Sequence, residues 1–254
     1  MSFVLGIILC SLAIFMVAIR GGNPAMLFDY NALLLVVCGT FASMLITMPF
    51  AAIKDHIRAI KGALRTGTKP KKLTGEILEL ARVARREGVL ALEGREKTVH
   101  NHLLRQGLIL MFSAADHQIV RSILENEAQC TTRRECSAAE YFERIAIFAP
   151  GIGMVGTLIE IVQMLFKYNG PSTLAPQIAS SLLPVVYGTL LAYLVLLPLS
   201  ARIRAGSERH ALLRGLCIEG VLAIQAGEPL HIVEERLKVF LNDEVRYGFR
   251  HTKT

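Results

Sequence analysis

Glu160 stands in the middle of an otherwise apolar run, "GMVGTLIEIVQMLF" over residues 153–166. A carboxyl at the centre of a membrane helix costs about 3 kcal/mol on insertion scales, so such a residue needs a partner or a task. Low dielectric disfavours the charged form, and a neutral acid can both give and take a proton. On a helix turning 100° per residue, Glu160 lies about 60° around from Thr157 and about 4.5 Å further along. Pro150, Gly153, Thr157 and Glu160 then share one face, where acid and hydroxyl could relay protons. A structural role stands beside this one: a neutral Glu160 bonded to Gln163 or to Tyr187 on the next helix, with Lys167 two turns on snorkelling toward it.

Four apolar stretches are available to position these groups. Met1–Ile19, Tyr30–Ile53 and Tyr168–Ala201 carry no charge, and Ile145–Phe166 carries only Glu160. A bilayer core of about 30 Å requires about 20 helical residues, which each stretch supplies. The composition agrees: 52% of the 254 residues are hydrophobic, and the mean hydropathy is +0.44, too oily for an ordinary soluble domain. Gly170, Pro171 and Pro176 predict a loop that leaves the fourth span from about Gln177 to Ser200. Nothing basic precedes the first stretch and no cleavage site follows it, so a retained helix is expected rather than a secretory signal. The fold class expected is all-α, an integral membrane protein with four transmembrane helices and a cytoplasmic helical domain.

The cations orient it. Of 28 Lys and Arg residues, 17 fall between Lys54 and Arg144 and nine between Arg202 and Lys253. The positive-inside rule places both polar regions, and both termini, in the cytoplasm. Lys54, Arg58, Arg202 and Arg204 sit close enough to span ends to count most. The net charge of +7 follows from this asymmetry, and the cations are too mixed with acids for a nucleic-acid partner. Five cysteines form no disulfide frame or CxxC pair. His100-x-His102 is a weak metal signal, and no phosphate loop, Ser/His/Asp set or paired-acid constellation points to an enzyme or a cofactor.

Residues 54–144 are expected to form a cytoplasmic helical domain. "LTGEILELARVARREGVLALEGREKTVHN" repeats apolar residues at three- and four-residue spacing, with Gly88 separating one helix from another that begins near Leu90. A further helix is expected over Gln118–Cys130, and a long one enters the membrane through Ala138–Ile145. The organisation read from the sequence is therefore spans one and two in 1–53, the cytoplasmic domain in 54–144, spans three and four in 145–201, and cytoplasmic helices broken at Gly227-Glu228-Pro229 in 202–254.

Several stretches resemble a known family. "RREGVLALE", "APGIGMVGTLIEIVQML", "LLPVVYGTLLAYLVLLPLSARIR" and "CIEGVLAIQAGEPLHIVEERL" are similar, in order, to blocks of the MotA/PomA family, the stator subunits of the bacterial flagellar motor within the MotA/TolQ/ExbB superfamily. Weaker matches, "RGGNPAMLFDYNALLLVVCGT" and "MPFAAIKDHIRAIKGAL", extend the resemblance over nearly the whole chain. It implies a ring of five subunits around a MotB-like single-span partner that grips peptidoglycan and supplies an ion-carrying aspartate. Ion flow then turns the ring, whose cytoplasmic face drives a FliG-like rotor protein.

Carried over by position, the rotor contacts fall on Arg85 and Glu93, with Arg86 able to assist, and the hinge prolines on Pro150 and Pro198. The ion path takes Thr157 from the third span. In the fourth, Pro184 and Val185 stand where sodium-type relatives have threonines, which disfavours sodium and favours the proton. Tyr187 follows in the same block, and Glu160 replaces the family's usual glycine. Competing functions are an ExbB- or TolQ-like energiser of another envelope process, against which the first of the four spans argues, and a stand-alone channel or transporter, for which inverted repeats are expected and not seen.

Overall fold

The computed structural model describes residues 2–20, 27–47, 60, 70–113, 116–168 and 170–241, all helical apart from their connections. Lys54 and Arg58, invoked for orientation, and both chain ends lie outside the described residues, as does nearly all of the "MPFAAIKDHIRAIKGAL" match. The chain divides into two compact units, one from Met1–Gly62 and Cys136–Arg204, the other from Ala63–Glu135 and Ala205–Thr254.

The first unit contains α1 (Ser2–Arg20) and α2 (Tyr30–Thr47). It also takes the second part of α5 (His117–Phe166), then α6 (Pro171–Ser181) and α7 (Leu183–Leu190). A π-helical segment, Leu191–Leu196, leads from α7 into α8 (Leu197–Gln225). Among the described residues, three helical stretches are long and apolar enough to cross a membrane: Tyr30–Thr47, His117–Phe166 and Leu174–Gln225. Their outward faces are apolar too, with Ile147, Met154, Leu158 and Leu165 of α5 all more than half exposed. The inward face of α5 buries Tyr141, Ile145 and Ala149 against Ala192 and Leu196.

Three local expectations require correction. The two helices expected over Gln118–Cys130 and Ala138–Ile145 are one 50-residue helix, α5. No Gly or Pro interrupts residues 117–149, so nothing breaks the ladder where the composition changes from charged to apolar. The loop expected around Pro171 and Pro176 is helical from Pro171 onward, because proline at the first helical position gives up only a donor that has no partner there. The break comes instead at Leu182, just before Pro184, whose missing N–H cannot serve the carbonyl of Ser180. The helix ending at Ser181 and the one beginning at Leu183 are thus separated by a single residue, within the apolar stretch Leu174–Gln225.

The second unit contains α3 (Pro70–Glu87), α4 (His102–Phe112), the first part of α5, the rest of α8, and α9 (Leu230–Lys238). Leu73, Ile77 and Leu80 fall at i, i+4 and i+7 on α3 and pack with Leu104 and Leu108 of α4, Leu124 of α5, and Leu216 and Val221 of α8. The second helix expected from Leu90 does not form. Gly88 has φ 87° and Gly94 φ 88°, left-handed values that end an α-helix and that L side chains rarely adopt. Between and after them run two 3-10 turns, Val89–Leu92 and Arg95–Thr98. Helix resumes only where the Asn101 side chain accepts from the N–H groups of Leu103 and Leu104 at 3.0 and 3.3 Å, an N-cap. The break at residues 227–229 is as expected: α8 ends at Gln225 and α9 begins at Leu230.

Cys217 lies at 0% exposure in this second core. Burial, reinforced by the nearby Glu76 carboxylate, pushes its thiol from 9.0 up to about 12. The thiolate is the reactive form, so an alkylating reagent at pH 8 is expected to label exposed Cys130 and spare Cys217 until the protein is denatured. Equal labelling in the native protein contradicts this core. The thiol stays protonated in the folded chain but ionises near 9 when exposed. Its contribution to stability is therefore complete below pH 9 and lost as pH rises toward 12.

Candidate functional site: an intramembrane seam and a charged tip

In the first unit the site is built on a close approach of α5 and α7. A Cβ on Gly153 would come 2.5 Å from the Pro184 carbonyl oxygen and 2.9 Å from the Val185 Cα. One on Gly156 would meet the Leu35 and Pro184 side chains. A Cβ on Gly188 would overlap the Ala149 carbonyl oxygen and stand 3.1 Å from the Pro150 Cα. Backbone therefore lies on backbone along this seam, as small residues permit between helices in membranes. Val185 meets α5 through its main chain, one turn before Thr157, and the seam there offers no side-chain oxygen from α7.

Thr157 is buried, at 8% exposure, and its hydroxyl has no hydrogen-bond partner among the described residues. This is unusual for a helical threonine, which ordinarily bonds to the carbonyl four residues back. Thr40, Thr131 and Thr132 do so at 2.6, 2.9 and 2.8 Å. The Thr157 oxygen is left available to a water, an ion or a partner chain.

Glu160 is half-buried on the next turn. The expected bond from Tyr187 is not formed, because the Tyr187 hydroxyl donates to the Leu27 carbonyl and accepts the Asp29 N–H at 2.9 Å. Tyr187 thus clamps the connection leading into α2. Asp29, which the sequence reading passed over, caps α2 by accepting from the N–H groups of Asn31 and Ala32 at 2.8 and 3.3 Å. It also lies within electrostatic range of Glu160. The structure therefore gathers two carboxyl groups and a tyrosine at one end of the seam, with the Thr157 hydroxyl a turn below Glu160.

The two prolines differ. Pro150 sits inside α5, which continues through it as helix. Pro198 follows directly after the π segment, in which Leu197 N–H reaches back five residues to the Ala192 carbonyl. The widened turn falls where the ladder loses a bond to proline in any case. Below it, the Ser200 hydroxyl lies 2.9 Å from the Ala139 carbonyl and 3.0 Å from Glu143 Oε1, while Arg204 donates to Glu143 Oε2 at 3.2 Å. Tyr141 donates to the Met44 carbonyl at 3.3 Å.

In the second unit Arg85, Arg86 and Glu93 are all exposed around the Gly88 turn, and none has an ion-pair partner among the described residues. Elsewhere in this unit charges are paired: Arg214 with Glu135 at 2.7 Å, and Glu219 with both Arg121 and Arg236 at 3.4 and 3.2 Å. His100 and His102 line a cleft of about 330 Å³ with Glu127, His210 and Arg214. His102 faces Glu127 at 3.3 Å, and no group of three or more potential metal ligands occurs among the described residues.

Comparison with known proteins bears directly on these features. Residues 95–214 match the MotA/TolQ/ExbB proton channel family. The chemotaxis protein PomA of Vibrio alginolyticus is 30% identical, over 92% of this chain and 92% of that protein. The chain belongs to the MotA/TolQ/ExbB proton channel family. Motility protein A of Treponema phagedenis is 28% identical, over 90% of this chain and 89% of its own. Among solved structures, the flagellar MotAB stator complex from Bacillus subtilis superposes with a TM-score of 0.89 at 25% identity, covering 97% of this chain and 98% of the matched chain. The resemblance to MotA and PomA drawn from the motifs is thereby shown, and the family is one of channel subunits rather than enzymes. Thr157, Glu160, Val185, Tyr187, Pro150 and Pro198 all fall within the matched span, whereas Arg85, Arg86 and Glu93 precede it.

Proposed function

We propose that this chain is the ring-forming stator subunit of a bacterial flagellar motor, passing protons together with a MotB-like single-span partner and turning that flow into torque. The observation that carries the channel reading is the Thr157 hydroxyl, buried beside the α5–α7 seam, unbonded to its own helix, with Glu160 one turn on. Full-length likeness to a MotAB stator complex supports the motor assignment. Thr157, Glu160 and the adjoining Val185 and Tyr187 line or shape the path, with Tyr187 acting through its hold on the Leu27–Asp29 connection. Protons are favoured over sodium because Pro184 and Val185 replace side-chain oxygens that a dehydrated sodium ion would need.

In this reading α1, α2, the second part of α5 and α7–α8 make four crossings of the inner membrane. Residues 54–144 and 202–254 lie in the cytoplasm with both termini, and five copies surround the partner's helices. Arg85, Arg86 and Glu93 meet a FliG-like rotor protein. The π segment beside Pro198 supplies the looser joint expected of a hinge, and Pro150 contributes a missing donor within a continuous helix.

Charge reversal tests the proposal. Arg85→Glu and Glu93→Lys are each expected to cut swimming speed severely while membrane level and co-purification of the partner stay at wild type. Exposed sites of this kind change stability by no more than about 0.5 kcal/mol. Normal swimming in both variants removes the rotor contact. A chain that never co-purifies with a single-span, peptidoglycan-binding protein removes the stator reading itself.

A further inference from the structure

Between the two charged positions of the tip, Leu90 is 75% exposed, whereas Leu92, two residues on, is at 0%. The cause is the 3-10 geometry of Val89–Leu92. With three residues per turn, side chains at i and i+3 eclipse. Val89 and Leu92 therefore stack toward the core, where both pack, and Leu90 and Glu93 stack on a second face, about 120° around, which is exposed. The turn is closed by Ala91 N–H to the Gly88 carbonyl at 3.2 Å and Glu93 N–H to the Leu90 carbonyl at 3.0 Å. It is held between two left-handed glycines, so Leu90 cannot rotate inward without dragging Leu92 out of the core. Flanking it in the sequence are Arg85, Arg86, Glu87, Glu93 and Arg95, all exposed.

An exposed apolar residue flanked by solvated charges has the composition of an interface hot spot, where the centre desolvates and the rim excludes water and sets orientation. We propose that Leu90 is the apolar anchor of the rotor contact, an inference that rests on the rotor reading of Arg85 and Glu93. Because Leu90 and Glu93 share one face, a surface that meets Glu93 must also cover Leu90. The occupant is a rotor protein surface with an apolar depression, bordered by a cation that answers Glu93 and by carboxylates that answer Arg85 and Arg86. The charges steer encounter and fix register, while burial of Leu90 sets how long each engagement lasts.

The test uses the full chain with its partner in motile cells, with a fluorescent tag reporting stator residence at the motor and immunoblotting reporting membrane level. Leu90→Asn is expected to shorten residence about tenfold, the size of a modest hot spot. Leu90→Met is expected to retain wild-type residence. Arg85→Glu runs in parallel. Wild-type residence for Leu90→Asn alongside a defective Arg85→Glu overturns the anchor and leaves the rotor reading standing. Normal behaviour in both variants overturns both. A fall in membrane level of Leu90→Asn, or a cross-link from Leu90→Cys to a second copy of the chain rather than to the rotor, overturns the anchor by showing a structural or ring-forming role.

Discussion

Gly188→Ala should separate α5 from α7 and abolish channel function. The added methyl would occupy the position of the Ala149 carbonyl oxygen, and a backbone atom cannot rotate aside as a side chain can. Overpacking of this kind costs about 3 kcal/mol, which corresponds to a fall of about 5 °C or more in melting temperature for a chain of this size. Gly153→Ala, facing the Pro184 carbonyl at 2.5 Å, should behave alike. The internal control is Gly151, on the same helix, where an added methyl would have nothing within 4 Å. Gly151→Ala should be neutral or slightly stabilising, as expected of alanine in a helix. Thermal unfolding of the purified complex distinguishes them, and a Gly188→Ala protein as stable as Gly151→Ala would refute the seam.

The second large effect is expected at Glu160. Glutamine keeps the shape and most of the hydrogen-bonding capacity of the acid but cannot release a proton. As a relay, Glu160→Gln should lower proton flux about a hundredfold, the lower end of what a positioned proton-transfer group contributes, with assembly unchanged. As a structural acid, the same change should be nearly silent. The Tyr187 hydroxyl is engaged by Leu27 and Asp29, which leaves Gln163 as the other structural partner for the acid. Proton uptake in vesicles containing the assembled variant decides the matter: wild-type flux there rules the relay out. Glu160→Gly measures whether the path can run without a carboxyl at this level.

What could be read from the chain in advance was whatever local chemistry governs. Glycine in the third apolar stretch permits close helix approach by its size alone, but which glycines meet a neighbour depends on packing: Gly153 and Gly156 do, whereas Gly151 has nothing within 4 Å of an added methyl. The helix end at Gly88 was legible, since a glycine with positive φ needs no distant contact to act. The contacts of Tyr187 were not legible, for the opposite reason. Its hydroxyl bonds to backbone about 160 residues away, and a backbone carbonyl or amide has no sequence signature. Asp29 escaped notice as an ordinary helix cap. Its proximity to Glu160 arises from packing between α2 and α5. The 50-residue helix α5 was divided in two because its charge density changes midway, although nothing in residues 117–149 stops the hydrogen-bond ladder.

The π segment at Leu191–Leu196 has a consequence for permissible chain length. Gly188 and Ser200 are twelve residues apart, yet both face α5, one against Ala149 and Pro150, the other at Ala139 and Glu143. On a regular helix they would point about 120° apart. The widened turn absorbs about one residue, which brings the offset to about 20° and lets both contacts form on one partner helix. This span therefore carries a spare residue. A single deletion within 191–196 would leave a plain α-helix with both contacts in phase, whereas a single insertion would swing Arg204 and everything after it out of register.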